Sequence, residues 1–372
     1  MELVAQKLFD GLASNNASAD IQPKLIRPRF VRTATRIPHI NTRKALFNAD
    51  RLLNRFVNYP AFLRRIRDNF DVFHIIDHSY SHLVHQLPSH RTVVACHDLD
   101  TFRCLLAPDL EPRSVAFKAM TRRILRGLQR AAVVTCDSCA TRDQILAHKV
   151  VPADRLVVMP NGVDGACSPD PDRFSDQRIA RLLGNPSADA VELLHVGTTI
   201  ARKRIDLLLR IFAEVRKLVP SARLLRVGGE FTTAQRELAR DLQIEDSVVV
   251  MPYLERSDLA AVYRRATMLL LPSEGEGFGL PVVEAMTCGT PVVASDIPAL
   301  REVGGAVAEY CPVGDVASWT KTILALFEER RAQPQRWATR RDEGLRWAAR
   351  FSWDAYASQS ISIYRQLAAS AA

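Results

Sequence analysis

Long apolar runs are missing from this chain of 372 residues. None approaches the roughly 20 consecutive apolar residues that a membrane-spanning helix needs, so no segment reads as one. The seven cysteines, at 96, 104, 136, 139, 167, 288 and 311, are odd in number and scattered. That pattern excludes a disulfide framework and suits reduced thiols in the cytoplasm. Zinc-finger spacing, aromatic ribonucleoprotein strand motifs and heptads are all absent, so no nucleic-acid module is written here. Internal repeats and low-complexity segments are lacking too. Residues 1–16, MELVAQKLFDGLASNN, have the spacing of an amphipathic helix carrying Glu2 and Asp10. That suits neither a secretory signal nor a transit peptide.

Acidic residues are scarce in one half only. Residues 1–163 hold 24 Lys and Arg against 14 Asp and Glu, while the remainder hold 26 against 27. The basic excess lies in runs such as Arg27-Pro-Arg29 and Arg64-Arg-Ile-Arg67. A solvated surface accounts for such runs as readily as an acidic acceptor or an anionic membrane does.

What the chain has in plenty is alternation. From residue 191 onward, strand-like runs at 191–196, 223–227, 247–251, 267–272, 291–295 and 306–310 alternate with helical spacing. The helical stretches cover 205–219, 234–242, 258–265, 280–286, 299–303 and 316–329. Short branched runs bounded by turns suit strands buried on both faces, and their alternation with helices predicts a doubly wound parallel sheet. The first half is less regular, but 71–76, 92–96, 132–136 and 155–159 read as strands ahead of the turn residues Pro160-Asn-Gly-Val-Asp164. The expected fold is α/β: two Rossmann-like, doubly wound domains, 1–163 and 164–350, facing a central cleft, with a hinge within 160–190.

The most informative stretch is 269–295, LLLPSEGEGFGLPVVEAMTCGTPVVAS. It predicts a strand, a glycine-rich acidic loop, a short helix and a second strand. Pro281 suits a first helical turn, where its missing N–H is no loss, and Gly289 suits a helix end that needs positive φ. Ligands of parallel sheets settle beyond the carboxyl ends of the strands, where Glu274 to Gly279 fall. Glu284, one turn into the helix, leans back toward the same place, because helical side chains tilt toward the N-terminus. Glycines admit a close backbone approach, and helix-start N–H groups favour an anion. Phosphate-binding backbone beside two carboxylates suits a phosphorylated sugar or nucleoside. Arg202 and Lys203 sit at another strand-to-helix junction, where positive charge is unfavourable against the macrodipole unless an anion binds.

Glu276-Gly-Phe-Gly-Leu-Pro-Val-Val-Glu284, followed by Ala-Met-x-x-Gly-Thr-Pro-Val-Val-Ala-Ser, resembles the signature of the retaining GT-B glycosyltransferases of family 4, the group 1 glycosyl transferases. Met159-Pro-Asn-Gly-Val-Asp164, Val196-Gly197 with Arg202-Lys203, Val227-Gly-Gly229, Tyr263-Arg-Arg-Ala266 and Phe351-Ser-Trp353 follow the same family's order. The resemblance covers about residues 70 to 365, closely after 155. It implies a metal-independent transfer of a hexose from a UDP- or GDP-sugar to an acceptor hydroxyl, in polysaccharide or glycolipid synthesis, with no cofactor. It assigns the diphosphate to Arg202, Lys203, Gly279 and Leu280, and the donor's sugar and nucleoside to Gly197, Thr198, Glu276, Gly277, Phe278 and Glu284. His97, Asp98 and Glu276 are its catalytic candidates. It also implies that 351–372 form a helix returning to the first domain. Partners would be the donor and a glycan or lipid-linked acceptor, with peripheral contact to an anionic inner plasma-membrane face, and no nucleic acid. A nucleotide-sugar epimerase, a phosphorylase and a non-catalytic sugar-nucleotide-binding protein are the alternatives on this fold; for a phosphorylase the sequence has no pyridoxal-phosphate lysine motif.

Two departures stand out. Family members open with a strand and a glycine-rich loop before their first helix, whereas Met1 stands where that helix would begin; either the true start lies upstream or this domain lacks that first strand. The arginine that many members carry after the first glycine of the second domain is replaced by Thr198. Separately, His74, His78, His82 and His85 have helical spacing that could gather a metal, but His74 falls in a strand-like run, which favours plain polar lining. Cys136-Asp-Ser-Cys139 lacks a second ligand pair for zinc and has no thioredoxin-like context.

Overall fold

A computed structural model describes residues 2–14, 20–36, 43–184 and 191–370. The chain divides into two compact units, Met1–Pro160 with Trp353–Ala372, and Asn161–Ser352. Residues 185–190 of the expected hinge, and residues 1, 15 and 16 of the opening helical stretch, lie outside the described residues.

In the first unit four parallel strands, β1 (Phe73–Ile75), β2 (Thr92–Cys96), β3 (Val133–Cys136) and β4 (Leu156–Val158), lie in consecutive order. Neighbouring residues on a strand face opposite ways, and that splits the core. Val94, Cys96, Val134 and Cys136 join Ile124 and Leu128 of the helix Val115–Arg130. Val93 and Val133, with Val157 of β4, meet Val4, Leu8 and Leu12 of the helix Glu2–Ser14, together with Tyr356, Ala357 and Ile361 of the helix Trp353–Ala369. The chain's last helix therefore packs in the same unit as its first. Among the described residues no strand precedes β1.

The second unit carries six parallel strands: β5 (Glu192–Val196), β6 (Arg223–Val227), β7 (Val248–Met251), β8 (Met268–Leu271), β9 (Val292–Ser295) and β10 (Glu309–Cys311), in the order β10-β9-β8-β5-β6-β7. Leu194, Leu225, Leu269, Leu271, Val292 and Ala294 pack to one face, and Leu193, Leu224, Met268, Leu270 and Val293 to the other. Both faces are covered, which is why β7, β8 and β9 read as apolar runs rather than as alternation. Each fully buried Leu or Val contributes about 1.5–3 kcal/mol of transfer free energy. Strand order reverses between β5 and β8, so the crevice of this doubly wound sheet opens at their carboxyl ends.

Several boundaries differ from expectation. β10 begins at Glu309 instead of 306, because the helix Pro298–Gly304 runs on into Gly305, whose φ of +57° turns the chain before pairing starts. The helix Pro334–Ala348 and the helix Arg173–Leu183 add to those expected after the first domain.

Candidate active site

The reversal point brings two segments together. After β5 the chain makes a short 3-10 turn, Ala201–Lys203, ended by Arg204 in the left-handed region (φ +48°), and the helix Ile205–Leu218 follows. After β8 it passes Pro272 and Ser273 into the acidic glycine loop, which ends at Gly279 (φ +104°) and the helix Leu280–Thr287. The loops are stitched by backbone: Glu274 N–H donates to Arg202 O at 2.9 Å, and Arg202 Nη1 donates to Gly275 O at 2.7 Å.

Glu276 lies at the centre. Its carboxylate accepts from Lys203 Nζ at 2.5 Å and from Arg202 Nη1 at 3.1 Å, with all three side chains largely buried. The residues assigned to the diphosphate and the residue assigned to the sugar are thus brought together as partners of one another. Glu274, outside the assigned set, faces Arg204 Nη1 at 3.5 Å.

Glu284 is buried (4% exposed) on the helix beside this loop, and both oxygens are held, one by Arg256 Nη1 at 3.1 Å and one by the Tyr263 hydroxyl at 2.9 Å. Burial lifts its carboxyl above the ordinary range, opposed by Arg256 and the Tyr263 hydrogen bond. At the helix start Val282 N–H is returned to Gly279 O, and Pro281 has no N–H to give, so Leu280 supplies the outward donor of the first turn. Thr198 Oγ1 and Ser273 Oγ are buried without a hydrogen-bond partner. The Phe278 ring is not turned toward a ligand: it lies in the apolar core, edge-on to Phe351 with centroids 5.6 Å apart, because an aromatic ring has more to gain there than over a polar loop. Gly277, next to it in the loop, has only backbone to offer.

The loops after β5 and β6 also meet. Gly197 N–H donates to Val227 O at 2.9 Å, and a Cβ on Gly228 (φ +124°) would lie 1.9 Å from Gly197 O, so only glycine fits. Arg226, fully buried in β6, donates to Gly197 O at 2.7 Å and to Gly229 O at 2.8 Å. His195 is buried beneath Gly197 with neither ring nitrogen partnered; burial, then the charges of Arg226 and Lys203, hold it well below its ordinary pKa.

In the first unit His97 follows β2 and is buried. Its Nδ1 meets Asp137 Oδ2 at 2.7 Å and its Nε2 meets Ile76 O at 2.7 Å. Both neighbours are acceptors, so the ring that satisfies them carries two protons. Burial works against that charge, but Asp137 and the Ile76 carbonyl outweigh it and raise the pKa. His97, the expected sugar ligand, here uses both ring nitrogens to tie the ends of β1 and β3. Asp98 is half-buried, 3.7 Å from His78 Nε2. The histidine series is not one helical face. His74 bonds Tyr364, His78 Thr101, His82 the Arg55 carbonyl and His85 the Arg123 carbonyl. Burial pushes His74 down to about 3 and His82 to about 4.

Sequence reasoning missed Arg256, Arg226, His195 and Asp137. Arg226 carried a signal, a cation inside an apolar strand. Arg256 and Asp137 carried none, since their partners stand 28 and 40 residues away.

A profile described as Glycosyltransferase Family 4 matches residues 9–166, and one described as Glycosyl transferases group 1 matches residues 184–342. O-antigen chain mannosyltransferase B of Escherichia coli is 30% identical over 299 residues, which cover 77% of this chain and 72% of that one. The chain belongs to the group 1 glycosyltransferases. D-inositol 3-phosphate glycosyltransferase of Kineococcus radiotolerans is 34% identical over 235 residues, 57% of this chain and 52% of that protein. This group 1 chain spans about half the length of the inositol phosphate relatives it matches. Its fold is that of sucrose-phosphate synthase from Thermosynechococcus elongatus (TM-score 0.73, 22% identity, 99% of this chain and 93% of that one). The Anabaena protein HepE, solved with UDP and glucose, is likewise similar (TM-score 0.66, 18% identity, 84% of this chain and 82% of that one). Two Rossmann-like parallel-sheet units are the GT-B architecture.

Proposed function

We propose that this chain transfers a hexose from a UDP- or GDP-sugar to an acceptor hydroxyl, with retention of configuration and without a divalent cation, in polysaccharide or glycolipid synthesis. The observation that carries the reading is the convergence of Lys203, Arg202 and Glu276 with the Gly279–Leu280 turn at the point where strand order reverses. Two cations and a helix start match the charge of a diphosphate, and that charge-assisted binding supplies what a metal otherwise would. Glu276 then leaves the cations and accepts from the sugar's hydroxyls. Glu284, with lone pairs to spare beyond Arg256 and Tyr263, accepts from the ribose. The bond from C1 to the phosphate oxygen breaks as C1 bonds the acceptor oxygen, and the acceptor proton passes to the departing diphosphate. The protein's share is positioning and electrostatic stabilisation of that leaving group. HepE's complex with UDP and glucose supports a donor of this class.

The acceptor side is supported by charge. Phe30 and Phe47 stack at 5.6 Å and are exposed with Val31 and Leu52, among exposed Arg29, Arg32 and Arg51. An apolar patch rimmed by arginine suits peripheral contact with an anionic membrane carrying a lipid-linked acceptor.

Incubating the purified protein with UDP- and GDP-sugars, with and without glycan or lipid-linked acceptors, tests the reading. Acceptor-dependent release of the nucleoside diphosphate that persists in EDTA is expected. Conversion of donor to an isomeric donor without acceptor means an epimerase, and binding without turnover means a binding protein. Activity lost in EDTA and restored by a divalent cation overturns the metal-free route.

A further inference from the structure

Arg226 has no packing reason to be where it is. Its strand neighbours Leu225 and Val227 fill the core on one face, and a Leu or Val at 226 would fill the other without desolvating a charge. Yet the side chain is fully buried, and among the described residues it makes no ion pair. Buried cations without a carboxylate partner are rare because the desolvation is uncompensated. What it does have is two carbonyls, Gly197 O at the turn that ends the neighbouring β5 and Gly229 O at the turn that ends its own strand, with the Phe231 ring 5.8 Å from its guanidinium. Without that fork neither carbonyl would have the guanidinium as a donor, at a point where Gly228 already crowds Gly197 O. The side chain also adds charge. Gly197 is bordered by the Lys203 stem and by the His195 ring, which feels both Arg226 and Lys203.

We propose that Arg226 is a positioning residue for the transfer: it locks the turns after β5 and β6 in one geometry and places a positive charge, held in no ion pair among the described residues, beside Gly197 and Lys203, where the donor's diphosphate would meet it. The inference rests on the donor reading above for its second half and on the ligand-free geometry for its first. It also assigns a part to Thr198. With a small hydroxyl residue there, the cation that serves this turn comes from the next strand, behind the backbone, instead of from the turn itself.

The test compares Arg226→Met, Arg226→Lys and the unaltered full-length chain. Amide hydrogen exchange in the ligand-free proteins reads the lock. Protection at 197–199 and 228–230 falls at least tenfold in Arg226→Met, while the helix Ile205–Leu218 keeps its own. Calorimetric titration with UDP, GDP and the matching monophosphates reads the charge. Diphosphate affinity falls tenfold or more in Arg226→Met, monophosphate affinity less than threefold, and Arg226→Lys recovers most of the diphosphate loss while its exchange stays fast. Unchanged protection at both turns overturns the lock. Equal losses for mono- and diphosphate, with no rescue by lysine, reduce the residue to a structural role. If the unaltered chain binds neither diphosphate, the donor reading fails and the exchange result still decides the lock. Should Arg226→Met not fold, Arg226→Gln takes its place.

Discussion

At the scale of single residues, Glu276 decides most. Its carboxylate sits on the two cations that the proposed donor's diphosphate would need, so on that reading donor and carboxylate compete for them. Glu276→Gln keeps the shape and removes the competitor's charge. It is expected to bind UDP or GDP about tenfold more tightly, about 1.4 kcal/mol, while turning over more slowly because the sugar's hydroxyls lose a charged acceptor. Calorimetry on the bare diphosphate, set beside turnover, separates the two effects; weaker diphosphate binding would contradict the competition. His97 gives a second prediction. Its folded pKa is raised above the unfolded value, so the stability it supplies is full below about 6.5 and is lost as pH rises through the folded value. Asp137→Asn removes the charge that raises it, is expected to cost about 3–5 kcal/mol as a broken buried pair, and should flatten the alkaline fall in Tm. Melting curves from neutral to alkaline pH check both; an unchanged slope would assign that fall elsewhere.

At the scale of elements, the helix Leu280–Thr287 is set by its first residue. Gly279 holds φ at +104°, and a Cβ there would stand 2.6 Å from Leu300 Cδ2. Gly279→Ala should cost about 1–3 kcal/mol in strain and tilt the helix start away from its ligand. A lower Tm with a nucleotide affinity reduced several-fold is expected, and unchanged affinity would detach this turn from the donor. Elements like this were legible in the sequence. The run 223–227 and the run 92–96 match β6 and β2 end to end, since strands covered on both faces keep a mostly apolar trace even with Arg223 and Arg226 in one of them. Pro281 and Gly289, the latter at φ +72°, marked the ends of the helix by backbone chemistry alone. Arg202, Lys203 and Glu276 were legible as residues at strand ends, but not as one another's partners. Their contact joins residues 73 and 74 apart, through the pairing of β5 with β8, and no local pattern encodes that distance. The packing of Phe278 was hidden for a related reason: nothing local in a glycine loop shows that the fold sets its ring against Phe351.

At the scale of the whole molecule, charge and its placement carry the prediction. The basic excess belongs to residues 1–163, and part of it rims the Phe30–Phe47 patch. Each Lys or Arg near an anionic surface contributes about 1 kcal/mol, screened within about 10 Å at 0.1 M salt. Co-sedimentation with phosphatidylglycerol-containing vesicles should therefore exceed that with neutral vesicles at low salt and fall as salt rises. Phe30→Ser with Phe47→Ser should lower it without moving diphosphate affinity. Equal recovery with both vesicle types would make the charge an ordinary solvated surface and point to a soluble acceptor.

The ion pair of Glu276 with Lys203 and Arg202 has a consequence for the end of the catalytic cycle. On the proposed donor reading, once the sugar has left, the nucleoside diphosphate has lost the group that would keep Glu276 occupied elsewhere, and the carboxylate can return to its cations. A tethered anion a few ångströms away is present at a high effective concentration, far above any free competitor in solution. Its return would push the spent nucleotide out, so the same contact that resists loading also empties the site. Turnover under accumulating product would then depend on this one side chain more than on any contact made by the substrate.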